Sequence, residues 1–467
     1  MAKTSQAKKY ARAGWVTTLF ATAIIAQLCA GTTFAFLSCV VLLISWDLTR
    51  RCFDVFDLRR VTIGTFWYLT YLAMIFFPAF FVYADQEGPY RSTFLFAVES
   101  VLITVPLGWW MANRYFHVHK GDVERYFTQP IDTPDRCPQI YRRVSCLLVV
   151  LAILTGLYIA EVPTIPLFYL LQNPGDYKQL VLLREDSFKL LDSPLKYMYA
   201  LARGVGFPLL ILVSFGAVLR KGDNKKWRTM FLISLTMGIF FASLSLAKAP
   251  VAYIFLVLTV FLYLFRGGLL SRRMVAAFLA LILLFPIGVI LAISSEDTTL
   301  AMALASTGTR LLYQPAAGVY YYFEVFPSHM PYLKGRSIGK LSWLLGDSYF
   351  DTPNYVGLYE NPDAVDSVNA NAAFIADLNA DFGMLGVILG GVLAGFIMES
   401  IQIYLFRRRK TVVTLAVSAF LMVAFWNLNS TSLPVVLASN GALLALVFGW
   451  ALEKSPRHAP IEALQQV

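Results

Sequence analysis

Charge is scarce in this sequence: of 467 residues only 15% are Asp, Glu, Lys or Arg, where soluble domains carry about 25%. Hydrophobic residues make up 58% before glycine is counted, and the mean hydropathy is +0.61. A soluble fold leaves about a quarter of its unfolded-chain surface in water even at about 300 residues, so it has no place for this much apolar area. A soluble enzyme and a disordered chain are both excluded. Cysteine is also sparse, with five in the chain. Cys29, Cys39 and Cys146 fall in or beside apolar runs, and Cys52 and Cys137 fall in basic connectors, which excludes a disulfide scaffold. Also missing are a Gly-rich phosphate loop, an Asp-x-Asp pair in a basic connector and a nucleotide-binding domain; their absence argues against a nucleotide-sugar donor and an ATP-driven pump. Histidine numbers four. His117 and His119 have no third ligand nearby, so no metal site is expected. No internal repeat is visible.

What is there is a succession of apolar runs long enough to cross a bilayer. They predict about twelve spans, near 14–30, 32–46, 61–83, 93–112, 144–162, 198–219, 229–247, 250–265, 274–294, 382–398, 411–428 and 433–452. The chain therefore reads as one all-α polytopic membrane domain over residues 1–467. The run from Gly14 to Trp46 is unbroken and is split at Gly31-Thr32-Thr33, a choice that sets the orientation of everything after it. Charge supports the split, because Lys and Arg accumulate in cytoplasmic connectors. With both termini inside, every cytoplasmic segment is basic: Lys3 to Arg12, Arg50 to Arg60, Arg114 to Arg143, Arg220 to Arg228, Arg266 to Arg273, Arg407 to Lys410, and Lys454 with Arg457. The formal charge of +10 is then a topology signal and a means of contacting anionic headgroups; no nucleic-acid partner is expected. The basic start followed by an apolar run lacks a small-residue cleavage pattern and reads as an uncleaved first helix. The stretch from Arg114 to Arg143, with three prolines, reads as an irregular connector, and the segment after Glu453 as a solvated tail.

Two external stretches are long, 161–197 and 295–381, and long loops on a compact bundle usually carry function. The second, between spans nine and ten, holds Tyr320, Tyr321, Tyr322 and Trp343 among polar neighbours. Aromatic faces beside donors and acceptors suit sugar rings. Three cations lie at the outer face: Arg203 near the end of the sixth span, Lys248 between two spans, and Arg310 after the polar turn Ser306-Thr307-Gly308-Thr309. Ionisable groups at membrane depth are costly and usually face a cavity or a partner, and guanidinium forks match phosphate oxygens. A diphosphate is the natural anion for them, with Arg336 as a further candidate. His329, the one external histidine, is a candidate proton acceptor. Asp85-Gln86-Glu87 follows the third span. Lipid-sugar-dependent mannosyltransferases carry an acidic pair after the first span, so the match in position is poor and this group is set aside.

About twelve spans, internal termini and one large late external loop resemble the bacterial polymerases that join lipid-linked oligosaccharide repeat units (the Wzy type). The most specific stretch runs from Asn369-Ala370-Asn371 through Asp377, Asp381 and Phe382-Gly383 to Gly390-Gly391 and Gly395. It is similar to the family's polar run, Phe-Gly turn and Gly-rich span. Thr309-Arg310 and Lys248 match places where members carry basic residues, although many have arginine at the latter. The resemblance implies a GT-C-like, metal- and cofactor-independent glycosyltransferase acting on undecaprenyl-diphosphate-linked glycans at the outer face of the bacterial inner membrane. Donor and acceptor are both lipid-linked, membrane lipids surround the protein, and a chain-length regulator protein is a candidate partner. Arg310, Lys248, Arg203 and Arg336 are expected at the departing diphosphate. Glu324, His329, Asp377 and Asp381 compete as the base. An O-antigen ligase and a lipid-oligosaccharide flippase are the alternative readings.

Overall fold

The computed structural model describes residues 2–132, 137–173, 179, 183, 194–221, 224–246, 248–268, 287, 299–339, 342, 346–362 and 369–453. Nine helices among the described residues are long and apolar enough to cross a membrane. The predicted spans other than 274–294 all fall on helices; that run, apart from Ile287, lies outside the described residues, as do Trp343, the side chain of Cys137 and the segment after Glu453. In chain order the first elements are α1 Ala2–Ala30, α2 Thr32–Cys52, α3 Ile63–Asp85 and α4 Arg91–Tyr115. Then come α5 Lys120–Thr128, α6 Cys137–Glu161, α7 Pro166–Gln172, α8 Lys196–Arg220, α9 Lys225–Ser243 and α10 Lys248–Phe265. Gly31 separates α1 from α2 at φ 84, a left-handed conformation that glycine adopts without a Cβ penalty, so the long first apolar run does turn back where charge says it must.

Two connectors are more ordered than their composition suggests. Residues 114–143 contain α5, whose start is fixed by a reciprocal pair: the His119 backbone N–H donates to the Asp122 carboxylate at 3.0 Å, and the Asp122 N–H donates to the His119 carbonyl at 2.9 Å. The described part of 295–381 is a folded cap, since α11 Leu300–Gly308 and α12 Gln314–Val325 are joined by a π turn, Thr309–Tyr313, and α13 Thr352–Glu360 follows. Ser306 to Thr309 is therefore helix, and Thr307 returns its hydroxyl to the Ala303 carbonyl at 2.8 Å. Pro315 sits in the first turn of α12, where its missing N–H costs nothing.

The last elements are α14 Phe374–Phe406, α15 Val412–Asn429 and α16 Leu433–Glu453. α14 begins eight residues earlier than the predicted span because the polar run Asp377 to Asp381 is helical, and it breaks at Gly383 (φ 64, ψ −157). Among the described elements α4 and α14 make the most extensive pairing. A Cβ added to Gly108 would come within 2.2 Å of the Val392 carbonyl, and one added to Gly395 within 2.1 Å of the Val105 carbonyl. Such small-residue seams let backbones approach in a medium that offers no hydrophobic drive between helices. Polar groups on the buried faces bond across helices. Asn113 donates to Glu399 at 2.8 Å, Ser38 donates to Glu99, and the Ile63 N–H donates to Gln402 at 2.8 Å.

The bundle has two chemically distinct ends. At one, Lys410 donates to the carbonyls of Phe127 and Gln129 at 3.1 and 3.0 Å; burial lowers its pKa, and it ties the α4–α6 connector to the α14–α15 link. The ion pairs among the described residues are found here: Asp47 with Arg50 and Arg51, Arg60 with Asp57 and Glu124, and Asp132 with Arg409. The other end carries the cap, with α12 packed on α3, α4 and α14.

Candidate functional site

The π turn Thr309–Tyr313 packs on the last turns of α3 and on a second π turn within that helix, Leu72–Phe76. This puts Arg310 on a turn packed against the second half of α3. Its side chain is exposed, and among the described residues it has no acidic partner within ion-pair distance. Three residues on, the Tyr313 hydroxyl donates to Asp85 Oδ2 at 2.8 Å. Burial, and then the Asp85 charge, raise the Tyr313 pKa, so this hydroxyl keeps its proton. Arg91 flanks the same helix end: its guanidinium stacks 4.9 Å over the Tyr83 ring and donates to the Gln86 carbonyl at 3.3 Å. π turns are rare and recur at functional positions. A third, Ala202–Gly206, carries Arg203.

Further along the cap, Glu324, His329 and Tyr359 come together from three segments. The Tyr359 hydroxyl lies 3.3 Å from His329 Nε2, the rings are 5.2 Å apart at 45°, and Glu324 reaches the same hydroxyl. Burial first, then the Glu324 charge, push the Tyr359 pKa up. Gln314 donates to Glu360 at 2.7 Å, which holds α13 against α12. Tyr321 borders this group half-buried.

Tyr320 and Tyr322 depart from the expected sugar-stacking role. Both are 1% exposed, because α12 is buried along most of its length and turns these rings into the core. Tyr320 meets Phe94 edge-on at 5.7 Å, and its hydroxyl reaches Gly88, where a Cβ would stand only 2.3 Å away. Burial, followed by Glu324, pushes its pKa up to about 12.

Asp381 is engaged as an anchor. Its carboxylate accepts from the Gly335 N–H at 2.9 Å, from the Ser337 N–H at 3.3 Å and from the Ser337 hydroxyl, and its backbone carbonyl accepts from Lys334 at 2.9 Å. With both oxygens taken it fixes residues 333–337 onto α14 and is poorly placed to accept a substrate proton. Asp377 faces Tyr322 from the first turn of α14. Arg336 donates to the Ser348 carbonyl and hydroxyl, each at 3.3 Å, bracing the cap. Arg203 donates to the Ser245 hydroxyl at 3.0 Å in the link between α9 and α10. Lys248 opens α10 three residues later, and its side chain lies outside the described residues. Arg203 and Lys248 thus share the α8–α10 side, while Arg310, Glu324 and His329 share the α11–α13 cap.

Sequence reasoning missed Tyr359 as a partner of His329, and it missed the pairing of Asp85 with Tyr313. Each joins residues far apart in the chain, and the spacing of neither is diagnostic. Asp85 had a visible signal, an acidic group at the end of a span, but its position in the chain order argued against it. Among the described residues no group of three His, Cys, Asp or Glu side chains could hold a metal ion. No family model, no curated protein and no solved structure matches this chain.

Proposed function

We propose that this protein is an integral-membrane glycosyltransferase that polymerises undecaprenyl-diphosphate-linked oligosaccharide repeat units at the outer face of the inner membrane. The observation that carries the reading is Arg310: an exposed guanidinium with no ion-pair partner among the described residues, on a π turn packed against α3, at the base of a polar cap on an apolar bundle. A lipid diphosphate sits at that depth, with its tail among the helices and its glycan in the cap. In the reaction a hydroxyl of the acceptor glycan attacks the anomeric carbon of the donor. The new glycosidic C–O bond forms as the bond to the diphosphate breaks, and undecaprenyl diphosphate leaves with the electron pair. Arg310 stabilises the negative charge that develops on that leaving group. Glu324, Tyr359, His329 and Tyr321 supply hydrogen-bond partners and one partly open ring for the glycan.

Purified protein incubated with lipid-diphosphate-linked repeat units alone is expected to extend them into a ladder of products on a gel, with release of undecaprenyl diphosphate. Repeat units that remain unjoined would overturn the reading. In cells, loss of the gene should leave a single repeat on the final acceptor, whereas loss of a ligase or a flippase leaves none. The orientation has its own test. In a cysteine-free protein, a cysteine at Ser328 should react with an impermeant thiol reagent from outside the membrane and one at Ser455 should not; labelling of position 455 would invert the topology.

A further inference from the structure

The cap poses a problem of distance for the proposed chemistry. The anomeric carbon is bonded to the diphosphate oxygen, so the group that takes the proton from the attacking hydroxyl must stand close to the cation that holds the diphosphate. A helix rises about 1.5 Å per residue, which puts Glu324 about 21 Å along the axis from Arg310. His329 lies beyond Glu324, past the end of α12. Asp377 faces Tyr322, about 18 Å along from Arg310 by the same rise, and Asp381 has both oxygens occupied. By backbone position none of these acids and bases is within a helix turn of Arg310, although Glu324 Oε1 stands 3.9 Å from where a Cβ of Gly88, three residues after Asp85, would be.

On the reading above we infer that Asp85 is the proton acceptor for the attacking hydroxyl, held in place by Tyr313. Tyr313 closes the same π turn that carries Arg310, three residues on, and its hydroxyl donates to Asp85 Oδ2 at 2.8 Å. The two segments are in direct packing, the π turn of Arg310 against the last turns of α3. The Asp85 side chain is exposed at the end of α3, and no described cation pairs with it. One carboxylate oxygen is fixed by Tyr313 and the other is left to face a substrate. Arg91, stacked on Tyr83 two residues before Asp85, provides a second positive charge at this end of α3. The step balances without a further reagent. The hydroxyl proton passes to the Asp85 carboxylate as the glycosidic bond forms, and Asp85 returns it to water or to the departing diphosphate.

General-base catalysis contributes about 100- to 10,000-fold in rate, so Asp85→Asn should lower chain growth by at least about 100-fold while the protein still binds lipid-linked repeat units as tightly as the parent. Tyr313→Phe, which keeps the base and frees its orientation, should lose a smaller factor, about tenfold, on the same scale. Glu87→Gln is the neighbouring-acid control and should retain the parent rate. Thermal unfolding in detergent checks that Asp85→Asn is folded, and Asp85→Glu supplies a second variant that keeps the carboxylate and should recover part of the rate. If the parent polymerises and Asp85→Asn stays within about threefold of it, well short of the loss a general base implies, Asp85 is not the base and the polymerase reading stands. Loss in Glu87→Gln instead of Asp85→Asn also removes Asp85. A parent that makes no polymer refutes the polymerase reading itself, a different and separable result.

Discussion

Arg310→Ala should lower the rate of chain growth about 100- to 1000-fold, which corresponds to about 2.7–4 kcal/mol of lost transition-state stabilisation. The size of the effect follows from position. Arg310 is exposed to the site and makes no ion pair among the described residues that would pre-empt it. Its removal also costs the fold little, because no described contact of its side chain holds the π turn together. Arg310→Lys keeps the charge but loses the planar fork that grips two phosphate oxygens at once, so it should fall between parent and alanine variant. The measurement is the initial rate of repeat-unit joining by purified protein, with circular dichroism to show that each variant is folded. An alanine variant within about threefold of the parent, far above the loss such a donor implies, would falsify this role and shift attention to Arg91, Arg203 and Lys248.

Gly395→Val should be the most damaging single change to the structure. A Cβ at that position stands 2.1 Å from the Val105 carbonyl and 2.9 Å from the carbon behind it. The obstacle is backbone, so no side chain can rotate out of the way and α4 and α14 must separate. Overpacking typically costs about 1–3 kcal/mol, sometimes more, and here separation also pulls Asn113 away from Glu399, leaving polar groups unpaired among apolar neighbours. We expect a large fall in the apparent melting temperature of the detergent-solubilised protein, together with poor accumulation in membranes. Gly156→Ala is the contrast. Nothing lies within 4 Å of a Cβ there, and alanine is worth up to about 1 kcal/mol more than glycine in a helix interior, so this variant should match or exceed the parent. Equal melting behaviour of the two variants would mean that the α4–α14 seam does not govern stability.

The helices of the bundle were legible because twenty-residue apolar runs admit one structure in a membrane, where each backbone polar group needs an internal partner. Gly31 was legible for a related reason, since charge on both sides demanded a turn. The cap was harder. Residues 300–325 mix alanine, tyrosine and proline without a clean apolar face, and they are helical because α12 is enclosed by α3, α4 and α14. Propensity gives way to tertiary packing in such a setting. The same enclosure explains Tyr320 and Tyr322: a run of three tyrosines reads as an open aromatic surface until neighbours close over two of them. Arg310 was found from its isolation in the sequence. Asp85 could not be linked to it, because Asp85 and Tyr313 are 228 positions apart and only folding brings them together.

Gly383 divides α14 into two mechanical parts. The segment before it carries Asp381 and, through that carboxylate, residues 333–337 of the cap; the segment after it carries the glycine seam against α4. Tyr332 rests where a Cβ of residue 383 would be, 2.9 Å from it, so the joint between the parts is covered by the cap it serves. On the proposed reading each round leaves the product on the acceptor's lipid, so that lipid must shift to the donor position before the next round. The break at Gly383 lets one helix meet two surfaces at different angles, the cap before it and the α4 seam after it.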